Sequence, residues 1–168
     1  MTTLRYDRIP SPIGLVLALA DEASLVSLDF EGYEPRMRTL LAKRYGAFQL
    51  VEALDPLGVR GRLEAYFAGD FAALDALPVE TGGTDFQREV WQALRRIPCG
   101  TVTSYGRLAA SLGRPAASRA VGYANSLNPI AIVLPCHRVV GGNRDLTGYA
   151  GGLGRKRWLL DHERAVLE

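Results

Sequence analysis

The chain has 168 residues, 48% of them hydrophobic, and a formal net charge of +2, which is enough apolar material for one ordinary domain or two small ones without disulfides or metals. No segment approaches the roughly 20 consecutive apolar residues of a membrane-spanning helix, and the N-terminus lacks the apolar stretch of a secretory signal. With only two cysteines, Cys99 and Cys136, the sequence excludes a disulfide scaffold and favours a cytoplasmic protein with free thiols.

The first half of the sequence has the pattern of a small sheet with helices. Three strands separated by turn signals are predicted over 4–9, 15–20 and 24–30. Helical spacing of apolar residues then predicts helices over 35–45 and 57–67. The stretch 77–83, with Pro78 and two consecutive glycines, is typical of a connector. We therefore expect two domains, residues 1–80 and 84–168.

The second half is predicted to be mainly helical. Thr84 and Gln87 fit a capping box, and an apolar stripe from Phe86 onward predicts a helix that Pro98 ends. Ser104 can cap a short helix, and Gly113 separates it from a further helix over 116–126. This is the outline of a helix-turn-helix. Later segments are predicted as a short buried strand over 130–134, a glycine-rich loop over 141–154 and a closing helix over 155–165.

Charge is distributed unevenly between the two halves. Residues 1–84 contain 8 basic and 12 acidic residues, a net charge of −4, and residues 85–168 contain 12 basic and 6 acidic residues, a net charge of +6. Such asymmetry is expected for a basic half that binds a polyanion, although chance sampling of surface charge gives similar values. Charge alone leaves both readings open.

The segment Pro135-Cys136-His137-Arg138-Val139 contains the residues best suited to covalent chemistry. A cysteine reacts as its thiolate and needs a nearby base or cation. His137 is adjacent, and a water between the two side chains could pass the proton. A carboxylate that orients the histidine is also expected, for which Glu163, Asp161 and Asp145 are candidates. A buried structural cysteine beside an incidental histidine is the alternative.

Together these motifs resemble the O6-alkylguanine-DNA alkyltransferase family, also called methylated-DNA–protein-cysteine methyltransferases, in its stand-alone bacterial-type form. The matching motifs in the second half are, in order, Phe86-Gln87, Val90-Trp91, Ile97-Pro98, Gly100-Thr101, Ser104-Tyr105-Gly106, Arg119-Ala120-Val121-Gly122, Asn128-Pro129, Pro135-Cys136-His137-Arg138-Val139, Leu146-Thr147-Gly148-Tyr149, Gly151-Gly152, Leu159-Leu160 and Glu163. The first half matches more loosely, through Ser11-Pro12-Ile13-Gly14 and Tyr66-Phe67.

The resemblance implies a two-domain α/β fold. The N-terminal domain would be ribonuclease-H-like, a small antiparallel sheet with helices, and the C-terminal domain mostly helical and winged-helix-like, with the helix-turn-helix. The implied function is direct reversal repair: a single irreversible transfer of an alkyl group from O6 of guanine in double-stranded DNA to the protein's own cysteine. O4-alkylthymine as a second substrate and clustering on DNA stay open. A monomer without cofactor or metal, acting on a flipped-out base, is expected.

The family's functional residues can be carried over to matching positions. Cys136 would be the nucleophile and alkyl acceptor, His137 would take its proton through a water, and Glu163 would hold His137 in place. Tyr105 would donate a hydrogen bond to the purine ring, and the amide of Ala150, where many relatives have serine, would serve the leaving oxygen.

The remaining implied residues concern DNA and the pocket. Arg119 would fill the gap left by the flipped nucleotide, with Ser104 and Ala117 as further DNA contacts. Val139 and Tyr149 would line the substrate pocket. Asn128 would tie the recognition helix to the active-site segment.

Competing interpretations fit less well. A sensor that binds alkylated DNA without repairing it would lack the cysteine, whereas Cys136 is present. A transcription factor would need more base-reading side chains than the recognition helix offers, and a cysteine hydrolase would turn over a small substrate.

The remaining candidate residues indicate no separate site. Cys99 is interpreted as a turn residue, and Gly141-Gly142-Asn143 lacks the Lys-Ser/Thr of a phosphate loop. The run 155–157 is either a phosphate contact or a solvated helix start.

Overall fold

The computed structural model describes residues 1–142 and 148–164. These residues form two compact units, the first comprising Met1–Gly82 with Pro129–Val133 and the second comprising Gly83–Asn128 with the described residues from Leu134 onward. Within the described ranges, every helix is too short or too polar to cross a membrane.

A four-stranded mixed sheet organises the first unit. Its strands are β1 (Thr2–Ile9), β2 (Val16–Ala20), β3 (Leu25–Phe30) and β4 (Phe48–Glu52), in the order β3-β2-β1-β4. The antiparallel pairs β1–β2 and β2–β3 confirm the three predicted strands. The sheet is mainly antiparallel, as predicted, and the unpredicted β4 adds one parallel pairing, with β1. β4 lies at the edge of the sheet, where Phe48 and Leu50 are only half-buried against the core and the apolar Val51 is exposed, so its five residues give a weak strand signal.

Two helices accompany this sheet, α1 (Glu34–Tyr45) and α2 (Val59–Phe67). Met37 and Leu41 lie one turn apart on α1 and pack against the sheet residue Leu19 in one buried cluster. The predicted start of the second helix at 57 was wrong by two residues. Leu57 and Gly58 have φ angles of 59° and 72°, in the left-handed region, which interrupts any α-helix at this point.

Residues 129–133 belong to the first unit, and the strand predicted over 130–134 is not formed. The Leu28 amide donates to the Pro129 carbonyl (3.0 Å) and the Ala131 amide donates to the Leu28 carbonyl (2.9 Å), which makes a single bridge to β3. Ile132 then has φ 69°, and the Val133 amide donates to the Ala131 carbonyl at 2.7 Å. This three-residue turn ends the pairing.

The second unit is mainly helical. Its helices are α3 (Asp85–Leu94), α4 (Tyr105–Ser111), α5 (Ser118–Ser126) and α6 (Leu153–His162), and a short parallel pair is formed by β5 (Thr103–Ser104) and β6 (Val139–Val140). The indole N–H of Trp91 donates to the Ala124 carbonyl at 2.8 Å and ties α3 to α5. Helices α4 and α5 form the predicted helix-turn-helix. α5 begins two residues later than predicted and α6 begins two residues earlier. The predicted end of α6 at 165 was wrong, because the helix ends at His162 and Arg164 has φ 61°, in the left-handed region.

Helix α3 begins with the predicted capping box. Thr84 Oγ1 accepts from the Gln87 amide (3.1 Å) and Gln87 Oε1 accepts from the Thr84 amide (2.9 Å). Replacing Thr84 by Ala should lower the free energy of unfolding by about 1 kcal/mol, because one helix amide loses its acceptor. Thr84→Ser, which keeps a hydroxyl, is the matched control. Equal urea midpoints for Thr84→Ala and the unmodified protein would show that the cap contributes nothing.

Candidate active site

The segment that carries Cys136 is held by hydrogen bonds on both sides. Cys136–Arg138 forms one 3-10 turn, which leads directly into β6. The Cys136 amide donates to the Leu134 carbonyl at 2.7 Å, and the buried Asn128 side chain donates to the same carbonyl at 2.8 Å. Because Asn128 follows α5, the end of that helix is fixed to the residue two positions before Cys136.

His137 forms a buried pair with Glu163. The His137 Nε2 and Glu163 Oε2 atoms are 2.9 Å apart, and neither side chain has any solvent exposure. The competing candidate Asp161 is exposed, and Asp145 lies outside the described residues. His137 Nδ1 has no hydrogen-bond partner in the part of the chain that the structure describes. With Nε2–H donating to the carboxylate, Nδ1 carries the lone pair and can accept a proton.

Arg138 holds the other side of the same carboxylate. Its Nε donates to Glu163 Oε1 at 2.8 Å and its Nη2 donates to Oε2 at 3.0 Å, in the bidentate geometry that suits a guanidinium and a carboxylate. Its Nη1 donates to the Ile97 carbonyl at 2.7 Å. Arg138 therefore joins the Cys136 turn to the end of α6 and to the segment after α3.

These contacts set the charge state of the pair. Burial by itself would raise the pKa of Glu163, but the hydrogen bonds from His137 and Arg138 outweigh it and hold this pKa below its ordinary value. Burial lowers the pKa of His137, because the imidazolium is disfavoured there more than Glu163 favours it. At neutral pH the arrangement is thus a neutral imidazole, a carboxylate and a guanidinium.

Lys156 is a buried residue for which the sequence predicts no place in the site. Its Nζ donates to the Val139 carbonyl at 2.7 Å and lies 3.5 Å from the Gly148 carbonyl oxygen, and the residue is fully buried. Burial lowers the pKa of Lys156 to about 8, and the negative charge of the Cys136 thiolate partly offsets this shift. Both interpretations of the run 155–157, phosphate contact or solvated helix start, are therefore wrong for this residue. Lys156 stands seven residues, about two helical turns, before Glu163 at the end of α6, and this spacing is the signal that points to its place in the site.

Tyr105, the first residue of α4, reaches the same region. A Cβ placed on Gly122 of α5 would lie 3.7 Å from the Tyr105 ring, and one placed on Gly148 would lie 3.8 Å from its hydroxyl oxygen. Because the Gly148 carbonyl also faces Lys156, Tyr105 lies close to the buried cluster. The other residues predicted to line the pocket are the fully buried Val139 and the half-buried Tyr149 and Ala150.

The predicted DNA-contacting residues lie outside this cluster, on the helix-turn-helix. Ser104 caps α4, its hydroxyl accepting from the Arg107 amide at 3.1 Å. Ala117 occupies the position before α5 and is half-buried, and Arg119 is exposed on α5. The structure thus brings His137 and Glu163 together beside Cys136, places Tyr105 near Gly148, and leaves Arg119 exposed on α5.

Replacing Glu163 by Gln should lower the free energy of unfolding at pH 7 by about 3–5 kcal/mol, because Arg138 stays buried without its carboxylate. In the unmodified protein, the lowered pKa of Glu163 supplies stability that is complete above its ordinary value of 4.5 and is lost as the pH falls below it. Glu163→Gln should therefore lose stability less steeply between pH 5 and 3. Urea unfolding across this range measures both effects.

The matched control for this substitution is Asp161→Asn, which removes an exposed carboxylate from the same helix. It should leave both the stability and its pH dependence almost unchanged. Parallel curves for Glu163→Gln and Asp161→Asn would contradict the buried pair described above.

Two family models match the chain. Residues 4–81 match the ribonuclease-like domain of 6-O-methylguanine DNA methyltransferase, and residues 85–165 match the DNA-binding domain of the same family. A methylated-DNA–protein-cysteine methyltransferase of Salmonella typhimurium is 52% identical over 99% of this chain and 99% of its own length. The protein with the same name in Mycobacterium tuberculosis is 44% identical over 96% and 93%.

Solved structures agree with these matches. The Mycobacterium tuberculosis O6-methylguanine methyltransferase aligns with a TM-score of 0.79 at 40% identity, covering 96% of this chain and 93% of the other. Mycobacterium tuberculosis OGT in complex with DNA aligns with a TM-score of 0.79 at 39% identity, covering 97% and 93%. The mixed-sheet unit and the helical unit are those of this fold. The chain belongs to the 6-O-methylguanine DNA methyltransferase family.

Proposed function

We propose that this protein repairs alkylated double-stranded DNA by transferring the alkyl group from O6 of guanine to the Sγ atom of Cys136, once per molecule. One observation carries the proposal: Cys136 directly precedes a fully buried His137–Glu163 pair in which His137 Nδ1 is left to accept a proton. The methyltransferase names of relatives that match the whole chain support the same reaction.

The proton of the Cys136 thiol passes to His137 Nδ1 through a water. The Glu163 carboxylate stabilises the imidazolium that forms, as a carboxylate does when it orients a histidine base. The buried Lys156 ammonium adds positive charge near the thiolate. The cluster therefore produces the soft nucleophile that the reaction needs.

The thiolate then displaces guanine from the alkyl carbon. A carbon–sulfur bond forms at Cys136 while the carbon–O6 bond breaks, and the electron pair of that bond goes to the purine. Tyr105 donates a hydrogen bond to the purine ring and the Ala150 amide to the oxygen as negative charge develops. The product on the protein is a thioether, which has no easy leaving group, so one molecule repairs one lesion.

A base within a duplex cannot reach a buried thiol, so the damaged nucleotide must leave the stack. The exposed Arg119 on α5 fills the gap, with Ser104 and Ala117 contacting the DNA beside it. Val139 and Tyr149 form walls of the base pocket, and Asn128 keeps α5 in register with the Cys136 turn. We expect a monomer to act on each O6-alkylguanine, and the net charge of +6 on residues 85–168 favours binding to DNA.

Intact mass spectrometry tests this function directly. After incubation with excess duplex that carries one O6-methylguanine, the protein should gain one methyl group, about 14 Da as expected for thiolate alkylation, and peptide mapping should place it on Cys136. Cys99→Ser, which removes the other thiol, should gain the same mass, whereas Cys136→Ser should gain none. The physical reason is that only Cys136 lies next to a buried base.

An unchanged mass combined with tight binding to the damaged duplex would contradict the transferase proposal and would indicate a protein that binds the lesion without repairing it. Repeated turnover on the methylated duplex, without an adduct, would also contradict it.

A further inference from the structure

The outward face of α5 carries one large apolar side chain. Tyr123 is 68% exposed, and the other exposed residues of α5 are Arg119 and the small residues Ala120 and Ser126. In the described part of the chain the other large exposed hydrophobic residues lie elsewhere, at Met1, Val51, Leu54 and Leu153. Tyr123 is thus the only such residue on the helix-turn-helix.

Tyr123 stands four residues after Arg119, so the two side chains lie on the same side of α5, about 6 Å apart along the helix axis. The opposite side of the helix is fixed, because Val121 and Asn125 are buried and the Ala124 carbonyl accepts from Trp91. The helix therefore cannot rotate to bury the Tyr123 ring. Both Arg119 and Tyr123 project toward whatever α5 binds.

We propose that Tyr123 is a second DNA contact of α5, its ring packing on the undamaged nucleotides one helical turn from the gap that Arg119 fills. The inference rests on the proposed function and adds to it a contact that involves no phosphate. The match of residues 85–165 to a DNA-binding domain identifies DNA as the partner, and the net charge of +6 on the second half suits a polyanion.

The chemistry of the ring fits this partner. An aromatic ring stacks on any base, and such contacts persist irrespective of sequence. The small residues around Tyr123 allow the helix backbone to approach a narrow groove closely, and a single wedge of this size can insert beside a base step. The contact belongs to the ring, so the hydroxyl group should contribute little.

Fluorescence anisotropy with an undamaged labelled duplex tests the proposal. Tyr123→Ala should raise the Kd at least fivefold, in keeping with the loss of one base–aromatic contact, and Tyr123→Phe should bind like the unmodified protein. Leu54→Ala, which truncates another exposed hydrophobic residue in the first unit, is the matched control. Thermal unfolding checks that each variant is folded.

Salt dependence separates the ring from a charged contact. Tyr123→Ala should keep the slope of log Kd against log salt, because an aromatic ring neutralises no phosphate and releases no counterion. A Tyr123→Ala protein that binds as tightly as Leu54→Ala would overturn the proposal. So would sedimentation showing that Tyr123→Ala converts a dimer to a monomer, since the ring would then belong to an interface between copies.

Intact mass spectrometry of the unmodified protein shows which of the two proposals fails. Failure of methyl transfer there would remove the proposed function itself. Normal transfer by the unmodified protein, together with unimpaired DNA binding by Tyr123→Ala, would remove only the Tyr123 contact.

Discussion

The buried Glu163 carboxylate is the constraint on which the active-site region depends. A charge without solvent exposure must be matched by donors, and here three of them converge on its two oxygens from His137 and Arg138. Arg138 extends the network to the Ile97 carbonyl. One carboxylate at the end of α6 thereby fixes the turn that holds Cys136 and the segment that follows α3.

The same carboxylate connects stability to chemistry. By accepting from His137 Nε2, it fixes the tautomer in which Nδ1 is the free base, and it is ready to stabilise the imidazolium that proton transfer creates. The Lys156 ammonium donates to the Val139 carbonyl, three residues after Cys136, and so adds a positive charge that favours the Cys136 thiolate.

Local signals predicted much of this structure. The capping box at Thr84 and Gln87, the strand alternation of the first thirty residues, and the Cys136-His137 pair with Glu163 all depend on short-range pattern or on resemblance. β4 is not predicted because it is a short edge strand whose inward residues, Phe48 and Leu50, are only half-buried and whose apolar Val51 is exposed. Residues 130–134 were read as a strand because an apolar run shows burial without showing where the backbone hydrogen bonds go. Lys156 was misread because its burial depends on partners distant in sequence, the carbonyls of Val139 and Gly148.

The central claim is that the buried carboxylate, acting through His137, makes Cys136 reactive. The most direct measurement is the second-order rate constant of methyl transfer from O6-methylguanine duplex at pH 7.5, comparing Glu163→Gln with Asp161→Asn, each shown to be folded by circular dichroism. We expect the rate to fall by about 10²–10⁴-fold for Glu163→Gln, the range in which a positioned acid–base group contributes, and to stay unchanged for Asp161→Asn. Equal rates for these two folded variants would contradict the account.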